Sequence, residues 1–288
     1  KKNPQTALDL NVQAGSYEQK NALLTVASQM KNSSHLVHFS RNTSDGYRFN
    51  TDYDNQNYFL KSNFNTDQLP ITLIATFSER KFGANGFYAT PSAINQYEET
   101  QASLIGFTTE IKKNAWTFRP RLYWKRNQDE YVFVRQNPSI YRNLHQTNKV
   151  AAEFNGSYTS ALGITGFGVE AAQVYISSNN LGQHQRLMTT LFLEQRFEFL
   201  NGKLDITPGI AATYFSDFKF HAFPGMDVGY ELNAQFKIYG NIGYTYRIPT
   251  YTDLFYSDPT TLGNESLSPE EAIAEEIGLK FQTKGFSA

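Results

Sequence analysis

No cysteine occurs in the 288 residues, so disulfides, thiolate metal sites and cysteine nucleophiles are excluded. There is also no long apolar run. Nothing approaches 18 consecutive apolar residues and the mean hydropathy is −0.49, which rules out a transmembrane helix. A membrane-spanning β-strand stays open, because it shows only every second residue to lipid. No charge of one sign prevails: 26 Lys+Arg face 27 Asp+Glu, for a net charge of −1, so the electrostatic footprint of a nucleic-acid binder is missing. Enzyme signatures are missing too. The five histidines form no His-x-x-x-His pair, with no Glu between two of them, which argues against zinc. Gly163-x-x-Gly166-x-Gly168 precedes no helical pattern, so it is no dinucleotide loop, and no nucleophile elbow marks a hydrolase. The expectation is a protein that is not an enzyme and has no catalytic cofactor. Lys1-Lys2-Asn3-Pro4 is neither a charged n-region nor an apolar h-region, so the chain reads as cytosolic, a mature form or an excised fragment.

Aromatics, by contrast, are abundant: 18 Tyr and 23 Phe suit a protein with aromatic girdles. Period-2 alternation runs throughout. Trp116, Phe118, Pro120, Leu122 and Trp124 alternate with Thr117, Arg119, Arg121, Tyr123 and Lys125. Leu187, Leu191, Leu193, Phe197 and Phe199 do so with Arg186, Thr190, Glu194, Arg196 and Glu198. A soluble sheet alternates as well. Here, however, the polar face carries charges of both signs in succession, on strands longer than the roughly 5–6 residues of typical globular strands. This predicts Trp116, Phe118, Leu122 and Trp124 facing lipid, with Arg119, Arg121 and Lys125 facing a wet interior. An arginine in lipid at the midplane costs about 2–4 kcal/mol, which fixes the phase.

Strands are expected near 5–15, 20–31, 34–43, 56–65, 70–81, 97–112, 115–127, 147–160, 163–177, 185–200, 203–217, 225–232, 235–247 and 270–283. Every second connection is short: Asn32-Ser33, Thr66-Asp67-Gln68, Lys113-Asn114, Ser160-Ala161-Leu162, Asn201-Gly202 and Asn233-Ala234. The others are longer, near 44–55, 82–96, 128–146, 178–184, 218–224 and 248–269. Short turns at one end and long loops at the other is the asymmetry of outer-membrane barrels. Asn201-Gly202 is a type I′ hairpin signal. Pro120 and Pro208 fall inside strand patterns and predict a bulge or a gap in the ladder. The whole reads as one continuous all-β unit over residues 1–288: a transmembrane antiparallel up-and-down β-barrel region of about 14 strands.

The segment Arg247-Ile248-Pro249-Thr250, Asp253-Leu254, Gly263-Asn264-Glu265-Ser266-Leu267-Ser268-Pro269-Glu270 and Glu276-Ile277-Gly278 resembles the late-barrel signature of TonB-dependent outer-membrane receptors. Lys81-Phe82-Gly83-Ala84-Asn85-Gly86-Phe87-Tyr88-Ala89-Thr90 and Tyr97-Glu98-x-Thr100 resemble the cobalamin-receptor-like members of the Bacteroidetes lineage. So do Asp129-Glu130-Tyr131 and Asn137-Pro138-x-x-Tyr141-x-Asn143-x-His145-x-Thr147-Asn148. The resemblance implies a plug domain within a barrel of about 22 strands. No plug, signal peptide or energy-coupling box is found here, and Lys284-Gly285-Phe286-Ser287-Ala288 does not look like a closing strand. The expectation is a fragment of such a barrel.

The resemblance further implies residence in the bacterial outer membrane and energy-coupled uptake of a bulky, scarce nutrient, cobalamin or a related corrinoid. A siderophore or haem receptor of the same architecture is the alternative. Outside that class stand a passive pore and an outer-membrane enzyme with a Ser/His pair near the rim. The implied partners are outer-membrane lipids, the TonB-ExbB-ExbD complex acting through the plug, and a surface lipoprotein.

Candidate ligand residues lie in the aromatic and amide-rich loops: Tyr88, Tyr97, Arg135, Tyr141, Asn143, His145 and Tyr251. Tyr, Asn, Gln and Thr suit a near-neutral ligand rimmed by amides, and aromatic faces pack on a flat macrocycle. The bland alternative for these residues is the aromatic and charged rim of any barrel. Asp45, Asp52 and Asp54 offer hard oxygens to a cation such as Ca²⁺, which the implied cobalamin receptors use to order their loops. The alternative is a solvated polar turn.

Overall fold

A computed structural model describes residues 7–65, 69–88, 90–258 and 261–287. The Thr66-Asp67-Gln68 turn, Ala89, Ala288 and the first residues of the expected opening strand lie outside the described residues. The strands are β1 (Ala7–Ala14), β2 (Lys20–Gln29), β3 (Ser33–Ser44), β4 (Tyr53–Asn65), β5 (Pro70–Gly83), β6 (Tyr97–Thr109), β7 (Ile111–Lys113), β8 (Trp116–Val132), β9 (Arg142–Ser160), β10 (Gly163–Ser178), β11 (Gly182–Phe199), β12 (Leu204–Phe215), β13 (Lys219–Glu231), β14 (Phe236–Arg247), β15 (Glu270–Thr283) and β16 (Phe286–Ser287). One short helix, α1 (Tyr251–Phe255), lies between β14 and β15. Each strand pairs antiparallel with its chain neighbours in a single meander, and the short β7 pairs with β8 beside the main path. The sheet is open, with β1 and the β15–β16 hairpin at its edges. Among the described residues no helix is long and apolar enough to cross a membrane.

The register carries the alternation from strand to strand. Leu8 meets Val26, Val26 meets Val37, and Val37 meets Leu60. Further on, Phe107 meets Leu122, Leu193 meets Ile210, and Met226 meets Ile242. These residues share one face, and many remain exposed, from Leu8 at 71% to Leu122 at 59%. A soluble monomer rarely shows an apolar patch beyond a few hundred Å². A band crossing every long strand is a lipid surface.

The other face is polar and cross-linked. Arg121 pairs with Glu153 at 2.8 Å, and Lys149 with Glu170 at 2.8 Å. On the apolar side Trp116 packs on Tyr158 and Phe118 on Phe154. The predicted phase of β8 therefore holds. The polar face is the concave one. A hollow of about 670 Å³ runs over it from β2 to β5, and the connection after β14 folds back onto it against His184 and Arg186.

Both prolines open gaps without shifting the register. The ladder to β8 breaks between Thr108↔Arg121 and Ile111↔Phe118, where Pro120 lacks an N–H, and this break separates β7 from β6. Between β11 and β12 it breaks from Glu194↔Gly209 to Phe197↔Ile206, around Pro208. The turn at Asn201-Gly202 differs from the two-residue form expected. Phe199 pairs with Leu204, so the loop holds residues 200–203, and Leu200, Asn201 and Gly202 all take positive φ.

The connections at the loop end also differ from expectation. β8 and β9 run on through Gln128↔Gln146, Asp129↔His145 and Tyr131↔Asn143, which leaves 133–141 as the connection. Residues 179–181 and 216–218 are tight turns, whereas 45–52, 84–96, 133–141 and 248–269 are the longer loops. Above the apolar band both faces of a strand are polar, so hydropathy alone does not separate strand from loop.

Candidate functional site

Three loops above β3–β9 are tied together by one side chain. Asn50 takes a left-handed φ of 51°, which Asn tolerates. Its Nδ2 donates to the carbonyls of Ile94 at 2.9 Å and Gln96 at 2.6 Å. Its Oδ1 accepts from Arg135 Nη1 at 3.2 Å, and the same nitrogen reaches Asp52 at 2.7 Å. The Arg135 guanidinium also covers the Tyr97 ring at 4.4 Å. Burial pushes the Tyr97 phenol up to about 12. Gly83 is required here, since a Cβ would stand 2.5 Å from the Asn50 carbonyl oxygen.

Beside this clasp a line of tyrosines crosses the concave face. Tyr88 meets Tyr131 edge-on at 5.5 Å, and Tyr131 meets Tyr141 at 6.3 Å. The Tyr141 and Tyr256 hydroxyls lie 3.2 Å apart, and Asn143 Nδ2 donates to Tyr141 at 3.1 Å. Fully buried Gln96 braces the line: its Nε2 donates to the Tyr131 hydroxyl and its Oε1 accepts the Tyr88 N–H at 3.2 Å.

Beneath the tyrosines, above the membrane-spanning part of their strands, lie Glu98, Asp129 and His145. Among the described residues neither carboxylate has a lysine or arginine partner within ion-pair distance. Partial desolvation raises the pKa of both half-buried Glu98 and the more exposed Asp129. Burial lowers that of His145, opposed by the Asp129 charge, and the His145 Nδ1 sits 2.8 Å from Ser178 Oγ. The arrangement offers aromatic faces and hydrogen-bond acceptors and, among the described residues, holds no lysine or arginine.

The described parts of the connection after β14, 248–258 and 261–269, form a strap over β9–β11. Thr250 and Asp253 cap α1 reciprocally, with Asp253 N–H to Thr250 Oγ1 at 3.1 Å and Thr250 N–H to Asp253 Oδ2 at 2.9 Å. The bond from the Thr250 N–H holds the Asp253 carboxyl below its ordinary range. Tyr251 and Leu254 are buried, and His184 stacks on Phe255 at 3.7 Å. Arg186 bonds Asp217 at 2.7 Å and the Pro249 carbonyl at 3.3 Å, and lies over the Tyr251 ring. Asn180 both donates to and accepts from the Ser257 backbone. The Tyr251 hydroxyl is buried with no hydrogen-bond partner among the described residues. Gly263 lets the strap fold on itself, since a Cβ would stand 2.7 Å from the Leu254 backbone. At its base Arg247 grips Glu270 with two bonds of 2.9 Å, while Glu276 accepts from Asn241 at 3.0 Å.

The structure thus brings Tyr88, Tyr141, Asn143 and His145 to one face. Tyr97 and Arg135 belong to the clasp, and Tyr251 is a buried residue of the strap itself. Asp45, Asp52 and Asp54 do not converge. Asp52 holds Arg135, and Asp54 takes two bonds from Arg41, at 3.0 and 2.7 Å, on the outer face. Asp45 lies in the turn after β3, its N–H bonded to the Tyr17 carbonyl. Among the described residues no group of three or more His, Asp or Glu side chains is placed to hold a metal ion. Tyr131 and Tyr256 also join the face, and so does Glu98, which the loop composition did not single out. Counting in twos from Ile105 and Phe107 on the apolar face puts Glu98 inside and Tyr97 outside.

A sequence profile described as "TonB dependent receptor-like, beta-barrel" matches residues 25–288. No curated protein matches the chain. Among solved structures it is similar to the hemophore receptor HasR of Serratia marcescens, solved with its hemophore HasA and heme, at TM-score 0.79 and 14% identity over 95% of this chain and 51% of that one. It is similar to the ferric enterobactin receptor PfeA of Pseudomonas aeruginosa at TM-score 0.75 and 12% identity, over 97% and 51%. It is likewise similar to the siderophore receptor PirA of Pseudomonas aeruginosa at TM-score 0.74 and 15% identity, over 97% and 53%. The chain spans about half the length of these solved receptors. The profile covers almost all of the chain, and the sheet follows that of outer-membrane receptors from end to end: this protein belongs to the TonB-dependent receptor family, in its outer-membrane β-barrel part.

Proposed function

We propose that the tyrosine line and its carboxylates form the ligand face of a receptor for a bulky, amide-rimmed, near-neutral nutrient, cobalamin or a related corrinoid. Uptake would be driven by TonB-ExbB-ExbD through a plug domain. The observation that carries the reading is Tyr88, Tyr131, Tyr141 and Tyr256 above Glu98 and Asp129, with no lysine or arginine among the described residues paired to either acid. Ligand amides donate to carboxylates and phenols, and a macrocycle edge packs on the rings. A polyanionic ferric complex would meet two like charges there. Siderophore and haem uptake is the second reading, favoured by the receptors of similar fold. Titration of the full-length receptor in detergent separates the two. Tight corrinoid binding with no binding of ferric enterobactin or haem supports the first. The reverse result replaces it with the second.

A further inference from the structure

The concave face carries a second set of polar groups beside the first, on β2–β5. Register places Asn21, Asn42, Asn55, Arg80, Thr100, Asp129 and His145 in one row, each opposite the next, from β2 to β9. Arg80 is exposed on that row and, among the described residues, has neither an ion pair nor a hydrogen bond. Its neighbours differ: Arg41, Arg135, Arg142 and Arg186 each hold a carboxylate. Two strand spacings, roughly 10 Å, separate Arg80 from Asp129, too far for a direct pair. The hollow of about 670 Å³ in front of Arg80 is lined by Asn21, Asn42, Asn55, Tyr53 and Phe82, with no acid among the described residues that line it.

We propose that this hollow is a subsite for an oxyanion of the ligand, a phosphodiester, while the tyrosine line takes the amide-rimmed ring. The guanidinium presents a planar fork that matches two phosphate oxygens, and the asparagine amides add neutral donors beside it. Tyr53 and Phe82 supply apolar surface for whatever flanks the anion. A ligand with one anionic arm and a donor-rich body would bridge Arg80 and the Glu98–Asp129 side. Cobalamin has that form, because its nucleotide loop is joined through a phosphodiester. The proposal rests on the corrinoid reading and narrows it.

The test compares cobalamin with cobinamide, which keeps the corrin ring and lacks the nucleotide loop and its phosphodiester. Both are titrated against the full-length receptor as wild type, Arg80→Gln and Arg80→Lys, with thermal unfolding as the folding check. Arg80→Gln should weaken cobalamin binding by about tenfold or more and leave cobinamide unchanged. Arg80→Lys should fall between for cobalamin, keeping the charge and losing the fork. Unchanged cobalamin affinity in Arg80→Gln, or equal loss for both ligands, would overturn the subsite while leaving the corrinoid reading intact. A wild-type receptor that binds neither compound overturns the reading and the subsite together.

Discussion

The two loop assemblies of this protein are held by different forces. The clasp over β3–β9 is polar and directional: Asn50 reaches two backbone carbonyls and Arg135 locks Asn50 to Asp52. The strap over β9–β11 is held by shape, with His184 on Phe255 and Arg186 on Tyr251, plus a few polar contacts. Buried hydrogen bonds tolerate little displacement before a donor or acceptor is orphaned. Stacked rings slide more cheaply, and the strap already leaves the Tyr251 hydroxyl unpaired. The tyrosine line joins the two assemblies at the Tyr141–Tyr256 contact. One half of the ligand face is therefore fixed and the other half is able to adjust.

The comparison breaks most clearly at Asn50. Asn50→Ala should lower stability by about 2–4 kcal/mol, because it orphans buried carbonyls and releases Arg135. Hydrogen exchange should rise in 84–96 and 133–141 and stay unchanged in 248–269. Arg186→Ala should cost less, about 2 kcal/mol, since Asp217 stays partly exposed and regains water. Limited proteolysis should then cut the strap and spare the clasp.

Asp129→Asn gives a smaller, pH-dependent effect. Partial desolvation of its carboxyl raises the folded-state pKa of Asp129 although the side chain stays partly exposed, so its charge weakly opposes folding at neutral pH, and that small penalty fades as pH falls through the raised value. The variant should unfold at a slightly higher temperature than wild type at pH 7, with the gap closing on acidification. A gap that widens on acidification would contradict the assignment. Tyr251→Phe removes the unpaired hydroxyl and should change stability by less than about 1 kcal/mol, in the stabilising direction. Chelation of Ca²⁺ should leave the unfolding temperature where it was, because Asp52 and Asp54 already hold arginines.

The strands were legible in the sequence wherever lipid enforces alternation. Leu122 beside Arg121 can adopt only one phase, and the long strands fell where their patterns put them. Above the membrane that constraint ends. Gln128, Asp129 and Tyr131 continue β8 without an apolar partner face, so they read as loop. Tyr97 looked like a ligand residue for the same reason, whereas the phase of β6 turns it to the outer side. The aspartates misled for another reason. Local spacing suggested a cation site, but the partner of Asp52 is Arg135, 83 residues away, and composition carries no trace of such a pair. The Asn50 clasp was equally hidden, since its partners come from two other loops.

The most direct test of the tyrosine face is a structure of the full-length receptor with cobalamin bound. The ring should lie against Tyr88, Tyr131 and Tyr141, with its amides within hydrogen-bond distance of Glu98 or Asp129. Bound cobalamin seated elsewhere, with that face left to solvent, would contradict the account.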